Sequence, residues 1–192
     1  MKKSLFLVFI IGLTMMLTFC EKEAEVSPER FQVLVDTVGQ ELEYDVWMDL
    51  TYELSKNYPE EYAAGMAMVR SAERAIMERD ETRFVKIFDL LKNYPENGAL
   101  EVTDQIAFGN RLAWVMSDQM LLFNEAPAVM EYTIEKFREE EEGLQWQDEL
   151  GAMIFDTQAN IYEKQDETEK ALEAYGIALE YMEQPETLLR RG

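Results

Sequence analysis

Two counts limit the chemistry open to this chain of 192 residues: it holds no histidine and one cysteine, Cys20. Without imidazole there is no Ser–His or Cys–His couple, no histidine metal ligand and no general base of the usual neutral-pH kind. One thiol closes no intramolecular disulfide and supplies no cysteine-cluster zinc site. A lone thiol can still accept a covalent group, and Cys20 stands between an apolar run (LTMMLTF) and a charged one (EKEAE). The other candidates are carboxylates. Glu139, Glu140, Glu141 and Glu142 run consecutively before Gly143. On a helix such neighbours point in different directions, because only residues three or four apart share a face. No EF-hand spacing surrounds them, so they read as a solvated helix end. Gly65 and Gly109-Asn110 lie within helical patterns and form no phosphate-cradling loop. Serines and threonines have no base to activate them. Carboxylates are so abundant that no pair stands out for acid–base work. The sequence reads as non-enzymatic, with no metal and no cofactor called for.

Charge narrows the partners. Asp and Glu number 39 against 18 Lys and Arg, a formal net charge of -21. Such a surface repels phosphate backbones, which argues against nucleic acid. It also repels anionic lipid, so attachment to a membrane needs something other than a polybasic face. With 47% hydrophobic and 30% charged residues, the chain has the composition of a packed domain. The length fits one domain of about 150 residues plus a leader.

The elements that would position Cys20 begin with Lys2 and Lys3, a short positive segment, and an apolar stretch from Leu5 to Leu17 interrupted by Gly12 and Thr14. A comfortable transmembrane helix needs roughly 20 apolar residues; this stretch has the length of a signal-peptide core. Glu21 to Pro28 (EKEAEVSP) is charged and aperiodic and reads as a flexible tether.

From Pro28 onward no strand alternation or Asn-Gly hairpin signal occurs. Apolar residues recur at three and four instead, as in Phe31, Leu34, Val35, Val38, Leu42, Val46 and Leu50. Gly and Pro punctuation leaves about seven expected helices, roughly 29–56, 60–79, 81–93, 99–122, 126–141, 144–164 and 167–183. Asp80 is an expected N-cap with Arg83 in the first turn, and Pro59 and Pro127 suit helix starts. Methionines are frequent in this body (Met66, Met68, Met77, Met116, Met120, Met130, Met153, Met182) and read chiefly as core filling. One internal repeat is plain: Lys56-Asn57-Tyr58-Pro59-Glu60 recurs as Lys92-Asn93-Tyr94-Pro95-Glu96. The same register aligns Tyr52 with Phe88 and Leu54 with Leu90. A period in the mid-thirties is that of helix-turn-helix repeats.

Two resemblances follow from these residues. Leu17-Thr18-Phe19-Cys20 resembles the lipobox of bacterial lipoproteins, with an aliphatic residue three before the cysteine and a small one two before it. Phe19 departs from the Gly, Ala or Ser usual just before the cysteine. The resemblance implies removal of residues 1–19 and acylation of Cys20, with palmitate among the chains. Residues 20–28 would then tether a domain of 29–192 to the bacterial envelope, at the periplasmic face or the outer membrane. An uncleaved signal anchor is the alternative. Residues 152–185 in turn resemble a tetratricopeptide repeat. Phe155, Ala159 and Tyr162 fall on the large, small and aromatic sites of its first helix. Ala171, Tyr175 and Ala178 fall on the small–aromatic–small sites of its second. Gln158 stands where Leu is usual, and Pro185 falls two places late. Ala113, Met116, Ala128 and Tyr132 echo the pattern more loosely. The resemblance implies an all-α, tetratricopeptide-like helical-repeat array. Met153, Asp156 and Asn160 would line a groove for a protein or peptide. Asp156 sits where members that clamp a terminal carboxylate carry a base, so a basic or neutral segment is the expected partner. The resulting expectation is an envelope-anchored interaction scaffold; the alternative is a periplasmic carrier enclosing a small apolar or peptide ligand for a transporter.

Overall fold

The computed structural model describes residues 27–40, 42–144 (the side chain of Glu142 aside) and 146–182. Cys20, residues 1–19, residues 20–26 of the expected tether, and residues 183–192 with Pro185 lie outside the described residues. Every regular element described is helical. The eight α-helices are α1 (Pro28–Val38), α2 (Tyr44–Asn57), α3 (Tyr62–Met77), α4 (Glu81–Lys92), α5 (Val102–Gln119), α6 (Ala126–Glu140), α7 (Gln147–Lys164) and α8 (Thr168–Met182). α1 packs on α2, α2 on α3, α3 on α4, α5 on α6, α6 on α7, and α7 on α8. Alternate helices also touch, α2 with α4, α3 with α5 and α5 with α7. That is the neighbour-on-neighbour stacking of an all-α helical-repeat array.

The first expected segment, 29–56, is two helices rather than one. Ser27 caps α1, accepting from Arg30 N at 3.2 Å, and Pro28 occupies the first turn. Gly39 closes α1, donating to Val35 O. The apolar spacing runs straight across this break, which is why sequence alone reads one helix. A continuous helix of that length would extend about 40 Å and leave its apolar stripe uncovered. The hairpin instead buries Leu34 with Leu54, Tyr58, Ala64 and Ala67. Arg30 closes it, its guanidinium donating to Glu53 through Nε at 2.8 Å and Nη2 at 2.6 Å. At α4 the expected cap is present, with Asp80 accepting from Arg83 N at 3.0 Å.

The repeated pentapeptides do the same work twice. At the α2–α3 corner, the Tyr58 hydroxyl donates to Ser27 O (3.2 Å) and accepts from Ser27 N (3.3 Å). At the α4–α5 corner, the Tyr94 hydroxyl donates to Pro59 O at 2.6 Å and accepts from Leu100 N at 3.3 Å. Tyr94 thereby fastens its corner to the one before it, and Tyr58 fastens its corner to the start of α1. Lys56 and Lys92 lie in the last turns of α2 and α4, where a cation complements the helix dipole.

One continuous core runs from Met48 of α2 through Phe84, Ile106, Met116 and Phe137 to Ile154 and Ala178. Met68, Met116 and Met130 fill it as expected. Met77, Met120 and Met153 do not, each more than half exposed. Glycines bring helices together at two places. A Cβ on Gly109 would strike the Thr133 hydroxyl of α6. A Cβ on Gly151 would lie 2.7 Å from the Tyr181 ring of α8. That ring cannot step aside, since it stacks on Phe155 at 5.7 Å and its hydroxyl donates to Glu141 at 2.6 Å. Glu141 is therefore a tie between α6 and α8, a departure from the solvated helix end read from sequence.

Glycine substitutions test this packing. Gly151→Ala lowers stability by about 1–3 kcal/mol, the usual cost of overpacking. Gly176→Ala, on the same pair of helices with nothing within 4 Å of the new methyl, raises it by roughly 0.5–1 kcal/mol; paired thermal melts read both. At alkaline pH the Tyr132 phenol, pushed up to about 12 first by burial and then by Glu139, stays neutral when folded while its unfolded counterpart ionises near 10. Its contribution is fully present below about pH 10 and lost as pH rises toward about 12. Tyr132→Phe flattens that alkaline decline in denaturant midpoints, and an unchanged slope would contradict the assignment.

Candidate functional site

The helix that closes the described array has two apolar stripes. Ala171, Ala174 and Ala178 turn inward, each at most 4% exposed, and let α8 approach α7 closely. Leu172, Tyr175, Leu179 and Met182 recur at three, four and three on the other side. A surface helix normally turns a polar face outward; here Leu172 is 67% and Leu179 53% exposed. Met153 of α7, also exposed, extends the same apolar surface. Together Ala152 and Met153 with Ala178, Leu179 and Met182 floor an open cleft of about 490 Å³ between α7 and α8.

Its rim is acidic. Asp148, Glu149 and Asp156 line one side, the first two in the first turn of α7 where the helix dipole favours carboxylates. Tyr175 closes the other side, its hydroxyl donating to Glu163 at 3.1 Å. Burial first, then Glu163 and Asp156, hold this phenol above its ordinary value, so it is a neutral donor at physiological pH. The cleft thus offers an apolar strip bordered by negative charge.

A second cleft of about 350 Å³ lies between α3 and α5. Tyr62, Met66 and Phe108 supply its apolar surface, while Arg70, Glu73, Asp104 and Arg111 give it mixed charge. Arg111 pairs with Glu73 across it. Gly65 lets the Leu100 side chain sit against α3, where a Cβ would meet it at 2.8 Å.

Of the residues expected to line a groove, Met153 and Asp156 lie together on the α7–α8 cleft. Asn160 is half-buried and does not line it; its Oδ1 is shielded and has no hydrogen-bond partner among the described residues. Cys20 lies outside the described residues. Sequence reasoning missed the α8 side of the cleft, although the outward stripe of Leu172, Tyr175, Leu179 and Met182 was legible as apolar residues in excess of what one core face needs. Among the described residues no group of three or more Asp, Glu or Cys is placed to hold a metal ion. No described helix is long and apolar enough to cross a membrane. No protein-family model, no curated protein and no solved structure matches this chain.

The exposure of Met153 and Leu179 sets an expected outcome. The double change Met153→Ser with Leu179→Ser shifts unfolding by no more than about 0.5 kcal/mol, as for other surface sites. It also lowers binding of a dye that fluoresces on apolar surfaces. Ala178→Asp, a few residues away but buried, unfolds the α7–α8 pair; equal effects from the two changes would mean that the cleft is part of the core.

Proposed function

We propose that this chain is a bacterial lipoprotein, acylated at Cys20, whose tetratricopeptide-like array is an interaction scaffold in the cell envelope. The observation that carries the reading is the α7–α8 cleft, an exposed apolar strip with carboxylates on its rim. A partner helix or extended segment would lay apolar side chains on Met153 and Leu179 and bring a basic side chain to Asp156. The net charge of -21 would speed encounter with a basic segment and exclude acidic ones. The openness of the α7–α8 cleft supports this reading over that of a carrier enclosing a small ligand, which calls for a concave site covering most of its cargo.

Anchoring and docking are tested separately. In a bacterial host, wild type enters the detergent phase with added lipid mass and without residues 1–19, whereas Cys20→Ala stays aqueous; identical behaviour of the two removes the lipoprotein reading. For docking, fluorescent amphipathic peptides of equal apolar content but opposite charge are titrated against the protein. The basic peptide binds, and its affinity falls at least tenfold on raising salt from about 50 to about 500 mM and on Asp156→Lys. Equal binding of the acidic peptide, or indifference to Asp156→Lys, ends the docking reading.

A further inference from the structure

Thioether sulfur gives the α7–α8 cleft a reactive group that leucine lacks. The structure sorts the methionines of the array by access. Met48, Met68, Met116 and Met130 are at most 2% exposed, so their sulfur atoms are shut off from solutes. Met77, Met120 and Met153 are 57%, 51% and 57% exposed. Of these three, Met153 alone lines the α7–α8 cleft, sharing its floor with Leu179 and Met182 of α8. Met77 and Met120 line neither cleft described above. Oxidised to a sulfoxide, a methionine side chain becomes polar and carries an oxygen that needs a hydrogen-bond donor. The cleft has no free donor to offer. Its rim carboxylates are acceptors when ionised, and the Tyr175 hydroxyl, the one side-chain donor among its lining residues, already donates to Glu163 at 3.1 Å. A sulfoxide oxygen at position 153 therefore keeps its water. An apolar side chain laid on the strip would have to remove that water and replace it with nothing.

We infer that Met153 is an oxidation site, with a peroxide as the reagent class, and that its state sets the affinity of the α7–α8 cleft for apolar occupants. In the step, the thioether sulfur attacks one oxygen of hydrogen peroxide. An S–O bond forms and the O–O bond breaks; the leaving hydroxide takes the proton of the transferred oxygen and departs as water. Sulfur loses two electrons and the peroxide gains them, so no further co-reactant is needed. Hydrogen peroxide is uncharged, so the acidic rim and the net charge of -21 do not hold it away as they would an anion. The return step needs a reductant, which methionine sulfoxide reductases deliver. Because Met153 lies on the surface, its oxidation leaves the fold in place; the same change at Met116 or Met130 would put a polar group into the core. The inference rests on the cleft being a docking surface, and it adds regulation: the strip accepts apolar side chains while Met153 is reduced and loses that affinity once it is oxidised.

Hydrogen peroxide applied to the folded full chain, in a Cys20→Ala background, tests it. Peptide-resolved mass spectrometry is expected to show one added oxygen at Met153 at least tenfold sooner than at Met116 or Met130. At that stage the basic peptide described above binds at least tenfold more weakly than before treatment, and the apolar-surface dye several-fold more weakly. Both recover when the two reductases, one for each sulfoxide epimer, are added. Leucine variants assign the effect, each compared with its own untreated form so that any effect of leucine itself cancels. Met153→Leu reduces the loss on oxidation to twofold or less, whereas Met77→Leu and Met120→Leu leave it at its full size. An undiminished loss in Met153→Leu overturns the inference, and so does full binding by protein carrying the sulfoxide at position 153. Oxidation of Met153 no faster than of Met116 overturns it as well. If the untreated protein binds the dye but not the basic peptide, the docking reading falls and the dye result decides the oxidation site by itself. If it binds neither, both fall.

Discussion

A tyrosine hydroxyl at each repeated corner fixes how the helix pairs follow one another. Tyr94 reaches Pro59 O, and Tyr58 reaches the backbone of Ser27, so the second corner takes its position from the first, and the first from the start of α1. Pro59 O also accepts from Ala99 N at 2.9 Å, which brings the chain before α5 under the start of α3. That contact seats Leu100 against Gly65, and the α3–α5 cleft is what lies beside it. The hydrogen bonds are part-buried, where leaving a partner unsatisfied costs about 1–3 kcal/mol. An identical pentapeptide at two corners is therefore a structural requirement: lysine for the helix end, tyrosine for the clasp and proline for the turn.

Much of this is legible in the amino-acid sequence. Apolar spacing places six of the seven expected helices within a few residues of those observed, because burying one stripe is what makes these segments helices. Asp80 is recognisable as a cap because its short carboxylate suits a free backbone N–H. The misses have physical causes. The expected helix over 99–122 overruns since Met120 and Leu122 continue the apolar pattern, yet both adopt left-handed backbone, at φ 54° and 46°. No glycine marks that turn. The segment expected from 144 starts later for the same reason, Trp146 lying at φ 67°. The break at Gly39 is hidden because both helices of the resulting hairpin need apolar faces. At the site, spacing within α7 locates Met153 and Asp156; their α8 neighbours depend on how two helices cross, which spacing within one helix does not encode.

The electrostatics divide the array. In its first half, cations join helices: Arg30 to Glu53, Arg83 to Asp45 and Asp49, and Arg111 to Glu73. Arg74 lies 4.8 Å from the Trp47 ring centre and 5.2 Å from that of Tyr44, a further bond between α3 and α2 that an apolar residue would not supply. The ion pairs described in the second half, Lys136–Glu139 and Lys170–Glu167, stay within one turn of chain. There the joints are mainly aromatic and close-packed, with Tyr181 meeting Phe137 edge-on at 5.7 Å and stacking on Phe155, while Arg138 and Lys170 reach across helices only to the faces of Phe155 and Tyr162. Exposed pairs add little to stability, so the division matters chiefly for how successive helices are joined.

The two ends of the described array differ in a way that bears on what covers them. Stacked helix pairs need end caps with polar outer faces, because the last pair has no neighbour on which to bury its stripe. At one end α1 meets this need: Leu34 turns inward, and Glu29, Gln32 and Asp36 lie on the surface beside Val33. At the other, α8 turns Leu172 and Leu179 outward, the surface of a helix that expects another layer. Exposed singly, such residues are ordinary; aligned on one helix and joined by Met153, they form a strip whose exposure costs free energy in proportion to its apolar area.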